Sequence, residues 1–153
     1  MSRPGSISSV VFAILWISVA IPAPAQKARA PRQIDVIASD YTFLPLPARI
    51  QAGPTIFTFA NQGTVQHELI LVRLKPGATM EDFVKAREDQ PRRRELIDRS
   101  VGILIAGPGT IPDGRILVNL RRGATYVLSC NLRDKPDAPA HLMLGMYTSF
   151  LPK

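Results

Sequence analysis

The sequence predicts an all-β protein, built as an antiparallel β-sandwich with a short helical insertion around residues 79–100. Two observations carry this prediction. Seven to eight short runs rich in β-branched and aromatic residues follow one another along the chain. Clusters of glycine, proline and asparagine separate these runs at close intervals, as turns separate the strands of a sandwich.

Residues 1–25 have the order of a secretory signal peptide. A basic start without acids leads into the apolar run VVFAILWISVAI, and Ala23 and Ala25 are the small residues that a signal peptidase needs. We therefore expect cleavage after Ala25 and a periplasmic or secreted protein. The apolar run is shorter than the roughly 20 residues of a membrane span, so we expect no stable membrane insertion unless the signal stays uncleaved.

The remaining chain has the length of one ordinary domain. Residues 26–32 are predicted to be a disordered, basic lead-in, and residues 33–153 a single domain. In the first strand, Ile34 and Val36 alternate with polar residues and share one face. The run HELILVRL is apolar on both faces, which predicts a central strand. The predicted strands are QIDVIA (33–38), TIFTFAN (55–61), HELILVRL (67–74), GILIAGPG (102–109), RILVNL (115–120), TYVLSC (125–130) and MLGMYTSF (143–150).

The insertion follows HELILVRL and has helical spacing. Met80, Phe83 and Val84 recur at the helical period, and Thr79 precedes them as a candidate N-cap. Pro91 interrupts this helix, and RRRELIDRS (92–100) predicts a second short turn of helix. We expect Met80, Phe83, Leu96 and Ile97 to pack onto the sandwich and Arg92–Arg94 to form a solvated face. Further along, RILVNL and TYVLSC flank the turn RRG (121–123), which predicts a hairpin.

Motifs for enzymatic chemistry are missing from the sequence. It contains no phosphate-binding glycine loop, no serine hydrolase elbow, no cysteine-pair zinc motif and no distinctive pair of carboxylates. The formal net charge is +7 at pH 7, with clusters at Arg92–Arg94 and Arg121–Arg122. On an exported protein this charge favours an acidic protein partner or an anionic membrane surface over nucleic acid. Because these motifs are missing, we expect a binding protein and not an enzyme. We also expect the protein to be a monomer.

The rare residues gather near strand ends. His67 opens one predicted strand, Cys130 closes another, and His141 and Met146 follow closely; there are only two histidines and one cysteine in the chain. A lone thiol in an oxidising compartment is buried and inert, paired to another molecule, or held by a metal. Two imidazoles, one thiolate and one thioether form the ligand set of a blue-copper electron-transfer site, whereas zinc prefers a set without thioether. Met143 is the rival for the axial position.

These motifs resemble those of the cupredoxins, the plastocyanin and azurin family. NQGTVQH is similar to the family's Asn-x-Gly segment before the first histidine, and C…HLMLGM is similar to its Cys–His–Met loop. The resemblance implies a Greek-key β-sandwich that binds one copper ion through His67, Cys130, His141 and Met146 and transfers electrons to a redox protein. This sequence departs from the family pattern in two places. Ten residues separate Cys130 from His141, where better-known members have only a few, and Glu68 occupies a position where many members have asparagine.

Three functions are compatible with this pattern. An exported mononuclear type 1 copper electron carrier would have a closed site beside an apolar docking patch, for which Ala138, Pro139, Ala140 and Leu142 are candidates. A periplasmic copper carrier or buffer would use the long segment before His141 to exchange the ion. In a metal-free interaction domain, Cys130 would simply be buried.

Overall fold

The computed structural model describes residues 30–153, which fold into a sandwich of two four-stranded sheets. The predicted signal peptide and most of the predicted lead-in lie outside the described residues. The elements are β1 (Arg32–Ser39), β2 (Thr42–Phe43), β3 (Gly53–Asn61), β4 (His67–Leu74), α1 (Met80–Lys85), α2 (Gln90–Glu95), β5 (Ile97–Ala106), β6 (Ile116–Leu120), β7 (Tyr126–Ser129), a 3₁₀ turn (His141–Leu144) and β8 (Tyr147–Phe150).

The first sheet has the order β2-β1-β3-β6 and the second the order β5-β4-β7-β8. The chain crosses between the sheets from β3 to β4, from β5 to β6 and from β6 to β7, which confirms the β-sandwich prediction. One pairing differs from the antiparallel expectation, because β1 and β3 run parallel, with Arg32 opposite Thr55 and Ala38 opposite Asn61. The central position predicted for HELILVRL is confirmed, since β4 pairs with both β5 and β7.

The predicted hairpin between RILVNL and TYVLSC is wrong. Strand β6 pairs with β3 in the first sheet, whereas β7 pairs with β4 and β8 in the second. The physical reason is that all four residues of β7 are buried, so this strand needs cover on both faces and a partner on each edge. The RRG segment therefore carries the chain from one sheet to the other.

The main core lies between the sheets and takes alternate residues from their inner faces. Val36, Phe57, Phe59, Leu71 and Leu128 are fully buried there. The Ile34 and Val36 face predicted for the first strand is confirmed, and Arg32, which was assigned to the lead-in, already belongs to β1.

A second core lies on the outer face of the second sheet, under the helical insertion. Phe83 packs there against Val72, Val127 and Leu142, with the half-buried Met80, Leu96 and Ile97 around them. Thr79 caps α1 as predicted, and forms a reciprocal capping box with Asp82. The insertion ends earlier than residue 100, because Ile97 already opens β5.

The prediction that Arg92–Arg94 form a solvated face is wrong for Arg93, which is buried. Arg92 and Arg94 are exposed, but successive helix positions point about 100° apart, so Arg93 turns inward and is only 9% exposed. Its guanidinium donates to the backbone carbonyl of Arg87 and to Asn131, and lies 5.8 Å from the centre of the Phe83 ring. Arg93 thus ties the insertion to the segment that follows β7.

No helix within residues 30–153 is long and apolar enough to cross a membrane.

Candidate metal centre

One end of the sandwich brings together the four residues that the sequence singled out. His67 is the first residue of β4, and Cys130 directly follows β7, the antiparallel neighbour of β4. His141 opens the 3₁₀ turn, and Met146 directly precedes β8. All four side chains are buried, with exposed fractions of 0% or 1%.

Three donor atoms from these residues face one another. His67 Nδ1 lies 3.1 Å from His141 Nδ1, which in turn lies 3.3 Å from Cys130 Sγ. The donor atoms of the three side chains all lie within 4.8 Å of one another. Two imidazoles and a thiolate that share one ion through bonds of about 2.0–2.3 Å place their donor atoms about 3–4 Å apart, so this cluster fits a single metal ion.

Met146 is held beside the cluster by the backbone. The Cys130 N–H donates to the Met146 carbonyl at 3.2 Å, and the Met146 N–H donates to the His141 carbonyl at 3.0 Å. Gly145 makes the sharp turn before Met146 with a φ of 102°, which favours glycine. Met143 is the first residue of the predicted strand MLGMYTSF (143–150). It lies instead in the 3₁₀ turn, where it is half-buried and lines a groove with Arg93 and Asn131.

Asp134 sets the orientation of the His141 ring. His141 Nε2 lies 2.9 Å from Asp134 Oδ1, so the ring donates its Nε2 proton to this carboxylate. A neutral imidazole with its proton on Nε2 has a free lone pair on Nδ1, the atom that faces the cluster. The Tyr41 hydroxyl donates to the other carboxylate oxygen and, with the weaker effect of His141, holds the pKa of Asp134 below its usual value.

Tyr41 covers both histidines from the solvent side. Its ring meets those of His67 and His141 edge-on, at centroid distances of 6.3 Å and 5.0 Å. The residue has a φ of 59°, a left-handed conformation that is uncommon for a side chain of this size. The Tyr41 ring and the Asp134 carboxylate thereby shield the cluster, which explains why neither imidazole is exposed.

His67 has a different environment on its outer side. Its Nε2 lies 3.5 Å from Asp40 Oδ1, and among the described residues this buried nitrogen has no hydrogen-bond partner. Burial and, less strongly, the electrostatic interaction with the neighbouring His141 ring lower the pKa of His67. His67 is therefore a neutral imidazole near pH 7, as metal binding requires.

Glu68 supports the cysteine in two ways. Its backbone N–H donates to Cys130 Sγ at 3.4 Å, and its carboxylate accepts a hydrogen bond of 2.8 Å from the backbone N–H of Asn131. Burial raises the pKa of Glu68, and burial likewise raises the pKa of the Cys130 thiol. The segment after the thiol is thus braced by the carboxylate of Glu68.

Asn61 fixes the turn that leads to His67. Its side-chain oxygen accepts from the Gly63 N–H, and its amide nitrogen donates to the carbonyls of Val65, Ala106 and Gly107. These contacts join the end of β3 to the end of β5, across the two sheets. The predicted Asn-x-Gly turn, which precedes His67, is therefore fixed to the ends of β3 and β5.

The apolar patch predicted around His141 is only partly present. Pro139 is exposed and Ala138 and Ala140 are half-buried, but Leu142 is 1% exposed because it fills the core beneath the insertion. Leu144, which is not among the predicted patch residues, is 46% exposed at this end.

Comparison with solved structures identifies the fold. The chain is similar to the dithionite-reduced auracyanin of Roseiflexus castenholzii, with a TM-score of 0.55 and 19% identity over 82% of this chain and 99% of that one. It is similar to auracyanin B, with a TM-score of 0.54 and 17% identity over 82% and 91% of the two chains. It is also similar to auracyanin A of Chloroflexus aurantiacus, described as a blue copper protein, with a TM-score of 0.52 and 19% identity over 81% and 100%.

No protein-family description and no curated protein sequence matches the chain. At this level of identity the similarity establishes the fold alone, and that fold is the cupredoxin sandwich, as the sequence motifs implied.

Proposed function

We propose that this protein is an exported mononuclear type 1 copper protein that carries single electrons. The observation that carries the proposal is the convergence of His67 Nδ1, His141 Nδ1 and Cys130 Sγ within one buried cluster. A bound copper ion would supply one-electron chemistry by changing between Cu(II) and Cu(I). The blue copper protein auracyanin A has the same fold, which supports the proposal.

The chain's own residues perform three tasks in this function. Cys130, His67 and His141 would hold the ion as three strong ligands, and Met146 would be the weak axial ligand. Tyr41 and Asp134 exclude water from the histidines. Because the donors are fixed by strands and by backbone hydrogen bonds, the site needs little rearrangement when the charge of the ion changes.

The choice of Met146 over Met143 rests on burial and on backbone contacts. Met146 is fully buried and hydrogen-bonded through its backbone to Cys130 and His141. Met143 is half-buried and lies along the groove under Arg93. Full burial and the backbone bonds to Cys130 and His141 therefore favour Met146.

The segment between Cys130 and His141 favours an electron carrier over a copper carrier. Although most of this segment is exposed, its ends are fastened by the hydrogen bonds from His141 N–H to the Leu132 carbonyl and from Leu142 N–H to the Cys130 carbonyl. Its middle is fastened by Asp134. A copper carrier would require this segment to open, and these contacts oppose that opening.

The redox partner would reach the ion at this same end. We propose a protein whose acidic docking surface meets the groove between the insertion and the segment before His141. This groove is locally basic, because Arg87, Arg93 and Arg133 line it with a single acid, Glu88. Export through the predicted signal peptide would place both proteins in the periplasm or outside the cell, and intact-mass measurement of the exported chain would locate the cleavage site.

Electrochemistry and copper transfer distinguish the two copper functions. An electron carrier should give a reversible one-electron wave and should lose Cu(I) slowly to a strong chelator. A copper carrier should release Cu(I) to the chelator within the mixing time. Zinc-loaded protein provides the matched control, because Zn²⁺ has no redox chemistry and should give no wave.

A further inference from the structure

The end of the sandwich opposite the metal cluster has a strong positive charge. We call this end the basic pole. Four adjoining surface cavities define it. The basic side chains that line these cavities are Arg32, Arg49, Arg73, Lys75, Arg99, Arg121, Arg122 and Lys153.

These residues form one continuous surface. Arg49 lines one cavity with Arg32 and the next with Arg122 and Lys153. Arg122 lines a third with Lys75, and Arg121 continues the surface to the cavity that contains Arg99. Six of the eight side chains are exposed, so the charge faces solvent.

Acidic side chains are almost missing from this surface. Asp98 is the single acid that lines the four cavities, and it is paired with Arg73 at 2.5 Å. Elsewhere in residues 30–153, eight basic side chains stand against eleven acidic ones. The net positive charge of the described chain therefore lies entirely at the basic pole.

The chain also enters the sandwich at this pole. Arg32 opens β1, whose other end lies beside Asn61 at the metal end. Lys27 and Arg29 precede it directly in the sequence, and the apolar run of the predicted signal lies further upstream.

We propose that the basic pole binds the anionic surface of a lipid bilayer and holds the metal end away from it. Phosphate-bearing headgroups attract clustered lysine and arginine, and each residue near the surface contributes to binding. The exposed Leu151, beside Lys153, can enter the headgroup region. The charge pattern does not depend on the proposed function. The proposed orientation of the metal end rests on that proposed function.

An acidic redox protein is the other possible occupant, and distance argues against it. β4 runs from His67 to Leu74, and seven residue steps of about 3.3 Å separate the two ends by roughly 23 Å. A redox partner at the basic pole would be separated from the metal end by the length of the sandwich. A membrane at the pole leaves the metal end free for that partner.

Sedimentation with vesicles tests the proposal without copper. The exported protein should bind vesicles of phosphatidylcholine that contain phosphatidylglycerol, and should not bind vesicles of phosphatidylcholine alone. Binding should fall steeply with added NaCl, because the Debye length shrinks to about 3 Å at 1 M salt. Arg49→Gln combined with Arg122→Gln should weaken binding about 25-fold, since each surface arginine contributes about fivefold.

The matched control changes the same charge elsewhere. Arg92→Gln combined with Arg94→Gln removes two exposed arginines of α2 and should leave vesicle binding unchanged. Amide hydrogen exchange on the vesicles should slow at 121–124 and stay unchanged at 133–137, which reports the orientation.

Several results would overturn the proposal. One is an equal loss of binding in the control, which would mean that only net charge matters. Another is binding to neutral vesicles that survives salt, which would mean anchoring by the apolar run. A third is binding to poly-glutamate but not to anionic vesicles, which would assign the pole to an acidic protein. A failure of copper binding would leave the vesicle result intact, so the two proposals fail separately.

Discussion

Replacing Asp134 tests whether the outer hydrogen bond of His141 controls the metal site. Asp134 Oδ1 lies 2.9 Å from His141 Nε2, and this carboxylate is the one side-chain partner of that nitrogen among the described residues. Asp134→Ala removes both the charge and the acceptor. Asp134→Asn keeps an acceptor of similar shape and removes only the charge, so the two variants separate the contributions.

The size of the effect follows from the role of this contact. Loss of a carboxylate that orients a ligand histidine typically lowers metal affinity by about 10-fold to 100-fold. We expect a decrease in copper affinity of about 100-fold for Asp134→Ala and about 10-fold for Asp134→Asn. Tyr41→Phe should have a smaller effect, because it removes a contact to Asp134 and none to His141. The reduction potential should rise in both Asp134 variants, since a nearby negative charge favours Cu(II).

Chelator competition measures the affinity, and protein-film voltammetry measures the potential. The matched control is Asp137→Asn, which removes the same charge from an exposed position of the same segment. If Asp134→Ala binds copper within about twofold of the parent, or if Asp137→Asn shifts the potential equally, the hydrogen bond does not control the site.

Three further substitutions test the support of the site. Asn61→Ala removes four hydrogen bonds and should lower the free energy of unfolding by roughly 2–4 kcal/mol in urea denaturation; no change would mean that the turn holds without them. Gly63→Ala places a Cβ 2.3 Å from Asp40 Oδ1 and should lower both the Tm and the copper affinity; an unchanged affinity would show that this turn does not position the site. Met146→Leu should retain copper and colour but raise the reduction potential, whereas Met143→Leu should leave the potential unchanged; the reverse pattern in voltammetry would exchange the two assignments.

The candidate donor residues could be selected from the sequence because their residue types are rare and because they follow one another in a recognisable order along the chain. Two histidines and one cysteine in the whole chain leave few combinations, and the order of His67, Cys130, His141 and Met146 matches a known ligand set. The structure places all four at one end of the sandwich. Their convergence could be anticipated because each residue adjoins a strand or turn whose end the sequence marks with glycine, asparagine or proline.

The residues around the donors could not be predicted in the same way. Asp40, Tyr41 and Asp134 are common residue types in irregular segments, and Tyr41 meets Asp134 across 93 positions of sequence. No periodicity connects such residues, since the contact depends on how β1 and the segment after β7 meet in three dimensions. The one local signal was an acid seven positions before His141.

The errors in the fold have a common physical origin. The short RRG segment (121–123) between RILVNL and TYVLSC is compatible with a hairpin, but local turn chemistry does not determine which sheet a strand joins. Burial on both faces of β7 decided the pairing. In the same way, three consecutive arginines indicate an exposed face, although the helix turns Arg93 towards Phe83.

The absorption spectrum of the purified exported protein, recorded while Cu(II) is added, tests the central claim most directly. The parent should develop an intense visible band that saturates at one copper per chain, because charge transfers from the Cys130 thiolate to Cu(II). Cys130→Ser should lack this band. A parent that stays colourless with Cu(II) would contradict the electron-carrier proposal, and a Cys130→Ser variant as coloured as the parent would contradict the ligand assignment.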